Sequence, residues 1–131
     1  MKIRVVSSKE EIETLKSSDE VIHLAFRPSN KDIFNLVMAC PNIKAIHIPS
    51  SYKKTLSESV QMYLAMQNIA LLEGDVWGHR KDINEYSEVS QHVLDRIDEL
   101  KAEKMSTDDI VALVTKETKL SEDFIRFIVE A

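Results

Sequence analysis

Three apolar runs repeat nearly the same pattern along the first half of this chain, and helical spacing separates them. Val21-x-x-Leu24-x-Phe26, Ile43-x-x-Ile46-x-Ile48 and Ile69-x-x-Leu72 begin 22 and then 26 residues apart. Short β-branched runs at period two read as strands, and the intervening stretches carry apolar residues at the i, i+3, i+4 spacing of helices. Strands joined through helices require crossover connections, so the pattern predicts a mainly parallel sheet. Few other folds accommodate that alternation.

The details extend the rhythm to four strands. Ile3–Val6 opens the chain as a strand, and Ser8-Lys9-Glu10-Glu11 has the spacing of a capping box before Ile12 and Leu15. A helix is expected from Ser29 or Asn30, with Ile33, Phe34, Val37 and Met38 on one face. Pro49 ends the third strand, and Ser50 or Ser51 is placed to cap a helix whose stripe is Leu56, Val60, Tyr63, Leu64 and Met66. Two arrangements of such a parallel four-stranded βα-repeat are open. One is leucine-rich-repeat-like, each unit stacking on its neighbour; the other is Rossmann-like, with helices on both sides. Strand alternation puts Ile22, Leu24, Phe26, Ile46 and Ile48 on one face and His23, Ala25, Ala45 and His47 on the other. The second set is less apolar than a fully covered parallel sheet requires. The helices are therefore expected mostly on one side, the other being open or covered by the tail.

From Asp82 the periodicity is wholly helical, which divides the α/β chain into a repeat domain, 1–87, and a small three-helix segment, 88–131. Val93, Leu94, Ile97 and Leu100 stripe a first helix; Ser106 caps a second with Ile110, Leu113 and Val114; Ser121 caps a third with Phe124, Ile125, Phe127 and Ile128. Charge divides at the same place. Residues 1–87 balance eleven Lys/Arg against eleven Asp/Glu, whereas residues 88–131 set six against eleven and so carry the whole net charge of −5. At 131 residues the chain can bury a core without staples. A single cysteine, Cys40, in an apolar run excludes an internal disulfide and reads as a buried small hydrophobe. No apolar run reaches membrane-span length, and the opening strand is too short for a secretion signal, so a cytoplasmic protein with no membrane partner is expected.

The loops after the strands concentrate the candidate chemistry. Both glycines of the chain, Gly74 and Gly78, bracket its one tryptophan in Gly74-Asp75-Val76-Trp77-Gly78-His79-Arg80-Lys81-Asp82. Glycine admits backbone geometry and close approach that other residues refuse, which marks a specialised loop or a junction sealed by Trp77. The second and third strands exit into Arg27-Pro28-Ser29-Asn30-Lys31 and Pro49-Ser50-Ser51-Tyr52-Lys53-Lys54. In a parallel sheet all three loops meet at the carboxyl edge, where ligands of such folds bind. Arg27, Lys31, Lys53, Lys54, Arg80 and Lys81, with Tyr52, Trp77 and His79, would form a basic, partly aromatic edge for nucleic-acid phosphates or an anionic small-molecule effector. Asp32, Asp75 and Asp82 argue instead for a solvated rim.

The tail offers a helix-turn-helix-like segment through Ser121 and Arg126. Its connection is longer than the tight form, and Glu122, Asp123 and Glu130 outnumber Arg126 on the would-be recognition helix. Packing or pairing of subunits into a homodimer suits it better than direct reading of bases. His23, His47, His79 and His92 show no metal-ligand spacing with one another or with Cys40, and His23 and His47 read as plain sheet residues. No phosphate-binding glycine loop or serine elbow is present, so neither cofactor nor catalytic role is called for.

Three runs carry a family resemblance: Met1-Lys2-Ile3-Arg4-Val5-Val6-Ser7-Ser8, His23-Leu24-Ala25-Phe26-Arg27-Pro28-Ser29-Asn30-Lys31-Asp32, and Leu71-Leu72-Glu73 through Asp82. The chain resembles a small family of methanogenic archaea of the Methanosarcina group, catalogued as a domain of unknown function. That resemblance implies an archaeal cytoplasmic protein, since members are proposed to regulate transcription of methanogenesis genes. It carries over no binding or catalytic residue. With the basic edge, it makes a DNA-associated transcriptional regulator the leading expectation.

Overall fold

The computed structural model describes residues 1–75 and 86–130. Four parallel strands, β1 (Lys2–Val6), β2 (Val21–Leu24), β3 (Ala45–Ile48) and β4 (Ala70–Glu73), alternate with helical segments. The sheet order is β4-β3-β2-β1-β5, so each repeat lies beside the one before it. The parallel strands β1–β4 follow one another with no reversal among them, only β5 lying on the far side of β1, and the repeat helices pack on one face, which selects the stacked-repeat arrangement over the Rossmann-like one.

The fifth strand is a correction to the sequence reading. β5 (Tyr86–Glu88) pairs antiparallel with β1, with Ile3 opposite Ser87, where wholly helical structure was expected. A three-residue polar strand leaves no hydrophobic period to detect; it forms because β1 offers it an open edge.

The registers correct the repeat as well. Ile22 pairs with Ile46, and Ile46 with Leu71. The apparent equivalence of Leu72 with Ile46 is thus one residue out, and one residue reverses the face. Leu71 lies with the repeat helices, while Leu72 points to the tail.

The repeat helices cover one face. A 3₁₀ turn (Lys9–Thr14) follows β1, α1 (Asn30–Ala39) follows β2, and α2 (Ser50–Lys53) and α3 (Glu58–Met66) follow β3. In the first, the Glu11 carboxylate accepts from the backbone amides of Ser7 and Ser8, the acidic arm of the expected box. Ser29 caps α1 by accepting from the Asp32 amide at 3.2 Å. Ser57, rather than Ser50 or Ser51, caps the long third-repeat helix, because a turn ends α2 and the chain restarts at Glu58. With glycine so scarce, Asn68 and Lys104 take the left-handed positions after α3 and after the helix Gln91–Ala102, at φ 59° and 62°. Ile33, Leu36, Val60 and Leu64 fill the layer against Val6, Ile22, Leu24, Ile46 and Ile48. The expected stripes are thereby shifted: Phe34, Met38 and Met66 face away from the sheet, exposed at 39%, 79% and 77%. Cys40 is buried, its thiol pushed up to about 11 by burial.

The tail covers the opposite face. α4 (Gln91–Ala102), α5 (Thr107–Glu117) and α6 (Glu122–Glu130) follow Val89. Ile97, Leu100, Ile110, Val111, Val114, Phe124, Ile125, Ile128 and Val129 share one core with Ile3, Val21, Ala45 and Leu72 of the sheet. Arg96 fastens α4 to α5 through Glu117 at 3.2 Å. Among the described residues no helix is long and apolar enough to cross a membrane.

Candidate nucleic-acid interface

The carboxyl edge of the sheet brings several predicted residues together. The Arg27 guanidinium lies 5.5 Å from the centre of the Tyr52 ring, so the loops after β2 and β3 touch. Lys53 reaches Glu73 at the end of β4 with its Nζ at 3.9 Å from the carboxylate. Part of its charge is therefore already answered within the edge. Lys31, in the first turn of α1, and Lys54, just after α2, are exposed at the same edge. Trp77, His79, Arg80 and Lys81 lie outside the described residues.

The tail meets this edge through the N-terminus of α6. Ser121 caps the helix, accepting from the Phe124 amide at 3.2 Å. Asp123 turns back and accepts from the Glu73 amide at 2.9 Å. The connection between α5 and α6, residues 118–121, thus lies beside the strand ends that carry Arg27, Tyr52, Lys53 and Lys54, and it adds the exposed Lys119. Arg126 does not join them: it is held by Asp108 at 2.9 Å, with Glu130 at 3.9 Å, and these carboxylates raise its pKa further.

α6 itself is not presented as a reader of bases. Phe124, Ile125, Ile128 and Val129 are buried in the core shared with the sheet, and Glu122 and Glu130 are exposed. An exposed acidic side next to a buried apolar one opposes contact with phosphates.

Sequence reasoning missed what holds α6 in place. His23 and His47, opposite each other on β2 and β3, are 4% and 2% exposed, and their Nδ1 atoms stand 2.8 Å apart. The Nε2 of His47 is 3.0 Å from Ser121 Oγ. One self-consistent arrangement has Ser121 donating to His47 and His47 donating to His23; the reverse works equally with the other tautomers. Burial pushes the His47 pKa down to about 4, against the opposing pull of Asp75 and Asp123, so the ring is neutral near pH 7. Phe124 packs edge-on to the same ring at 5.5 Å between centres.

Gly74 makes this approach feasible. Its φ is +150°, and a Cβ there would stand 2.3 Å from Ser121 Cβ and 2.9 Å from His47 Nε2. The Gly74 backbone thus roofs the serine, which suits a cap better than a nucleophile. The alternation of His23 and His47 with apolar residues placed both on the less apolar face; that His47 would meet a serine 74 residues away had no local signal. A cavity of about 100 Å³ lies beside them, lined in part by Ile3, Asp75, Lys119 and Phe124. Among the described residues no group of three or more His, Cys, Asp or Glu could hold a metal ion.

Comparison with known proteins fits this two-part build. Residues 2–85 match the N-terminal domain of a family of unknown function, DUF1699, and residues 92–130 match that family's C-terminal HTH domain. No curated protein and no solved structure matches the chain. A helix-turn-helix class of domain hints at binding to DNA. With its N-terminal domain alone covering more than half of the sequence, the chain belongs to the DUF1699 family.

Proposed function

We propose that this protein is a cytoplasmic, non-enzymatic, DNA-associated transcriptional regulator. In this reading Arg27, Lys31, Lys53 and Lys54 hold nucleic-acid phosphates, Tyr52 offers a stacking face, and the helical tail is positioned by the sheet. The observation that carries it is the HTH-class tail whose α5–α6 connection opens on the same edge as those cations. Phosphate contacts set affinity without reading sequence, so a mixed-charge edge of this kind supports salt-sensitive, modest binding. The genes controlled are, on the family resemblance, those of methanogenesis.

The test is anisotropy of labelled duplex from upstream of the protein's own gene, titrated at several salt concentrations. Replacing Arg27, Lys53 and Lys54 together by alanine should weaken binding at least about tenfold and flatten the salt dependence by roughly two to three ion equivalents. Arg126→Ala should change affinity less than about twofold, its charge being committed to Asp108. The opposite ranking, or no binding by the wild type at low salt, overturns the reading. A variation of the same reading has an anionic small molecule act as effector at the Arg27, Lys31 and Lys54 side of this edge, away from the small cavity whose lining sets Asp75 and Glu88 against Lys119. Inorganic phosphate or a nucleotide that raises the melting temperature would then also shift the DNA titration.

A further inference from the structure

We propose that the outward face of α1 and α3 is where two copies of this chain pair. The inference uses the opposite side of the sheet from the tail, and of the residues in the DNA reading only Lys31, in the first turn of α1, lies on these two helices.

Four large apolar side chains are open there. Phe34 and Met38, one helical turn apart on α1, are 39% and 79% exposed; Met62 and Met66, one turn apart on α3, are 65% and 77% exposed. The two rows form one surface. The Phe34 ring sits edge-on to Tyr63 of α3 with centres 4.8 Å apart, and Ser57 Oγ donates to Asn30 Oδ1 at 3.2 Å, tying the starts of both helices. Each pair projects from the side of its helix opposite the buried residues, Ile33 and Leu36 on α1, Val60 and Leu64 on α3. The result is one apolar patch across both helices. At these exposures the four side chains offer a few hundred Å² of apolar surface, about the upper limit that monomers leave open.

Charge decides the occupant. Residues 33–43 and 59–72 contain no Asp, Glu, Lys or Arg, in a chain that is 30% charged. Nucleic acid and anionic lipid are recognised through Lys and Arg, and Lys31, in the first turn of α1, is the only such residue within either helix. Beyond Lys31, Asp32 and Glu58 at the helix starts, a partner of complementary charge has nothing there to complement. A second copy of the same patch fits, because a two-fold contact sets the patch against itself, each residue i meeting a residue j and the reverse, and a surface with so little charge meets itself without strong repulsion. The tail, holding the entire net charge of −5, would meet a second tail at an electrostatic cost. Methionine and aromatic residues with charge excluded is also the composition found at the centres of protein interfaces.

Sedimentation equilibrium of the full chain tests the pairing. The wild type should be dimeric above about 10 µM. Met38→Glu with Met66→Glu should be monomeric at ~100 µM, with an unchanged circular dichroism spectrum and a melting temperature shifted by less than about 2 °C at low protein concentration. Should that variant fold poorly, Met66→Cys gives an independent readout. Under mild oxidation it should form a covalent dimer much faster than Ala112→Cys on the exposed side of α5, and buried Cys40 should take no part. A wild type that stays monomeric, a double variant that still pairs, or equal cross-linking of the two cysteine variants would each overturn the proposal. A monomer that uses this patch for a different protein falls under the first of these.

Discussion

The two faces of the sheet are covered by different means. On the repeat-helix side, the central strands present Ile22, Leu24, Ile46 and Ile48 to Ile33, Leu36, Val60 and Leu64, all at most 1% exposed. On the tail side, the same two strands present His23 and His47, and α6 is fixed over them through Ser121 as well as by Phe124 and Ile125. The first face is a core assembled from neighbours in sequence. The second is a docking surface for a segment that arrives from elsewhere, and polar partners specify its seat. Apolar packing tolerates small displacements, but a hydrogen-bonded chain through two rings fixes one position of α6. The difference teaches which part of the molecule can be perturbed alone: the tail can loosen while the repeat layer stays intact.

Removing a side chain from the first face should produce the largest effect. Ile46→Ala leaves a hole among residues that cannot collapse onto it, and should cost about 4 kcal/mol. Urea unfolding followed by far-ultraviolet circular dichroism should show a lower midpoint in one cooperative step, because the sheet supports both layers. A loss confined to the tail, with the repeat helices unaffected, would reverse the roles assigned to the two faces.

The sequence displayed the first face far better than the second. Alternation in β2 and β3 named the residues of each side correctly, since period two is local information. It also left one side in need of a cover, which the tail supplies. Local patterns failed where pairing depends on a distant partner. β5 has no apolar period and exists because β1 has a free edge; Leu72 appeared equivalent to Ile46 until the register showed Leu71 in that place. Met38 and Met66 matched a helical stripe in spacing but lie beyond the arc that the sheet covers. The basic edge was legible in part. Arg27 and Tyr52 do meet, as neighbouring strand ends require, whereas the commitments of Lys53 to Glu73 and Arg126 to Asp108 depend on side chains that no spacing rule brings together. The histidine chain was the least legible feature, because it spans three elements and two halves.

A side chain added to Gly74 should separate the faces more sharply. Gly74→Ala puts a methyl group where Ser121 Cβ already stands, at a φ that disfavours every other residue, and should cost about 3 kcal/mol. The strain falls on the contact between the strand end and α6, so relief comes by displacing α6. Hydrogen exchange should accelerate in α6 and the facing part of α5 while the amides of α1 and α3 keep their protection. Uniform acceleration everywhere would show that the tail and the repeat layer unfold as one unit.

The smallest effect, and the most specific to the second face, is a dependence on pH. His47 ordinarily titrates near 6.5, and in the folded chain burial lowers this to about 4. Between those values the unfolded chain binds a proton that the docked ring refuses, so stability is complete above pH 6.5 and falls as the pH drops towards 4. At pH 5 the loss from this one group is about 2 kcal/mol. Asp75 and Asp123 face the ring and partly offset it, while His23 and Ser121 hold its two nitrogens in the neutral state. Urea midpoints of wild type and His47→Gln, compared at pH 7.5 and pH 5, isolate the effect. The variant should be less stable at pH 7.5 yet lose less between the two pH values, since carboxylates elsewhere contribute equally to both proteins. Equal losses in the two would mean that His47 is no more protected than a histidine at the surface, and that apolar contact alone keeps α6 on the sheet.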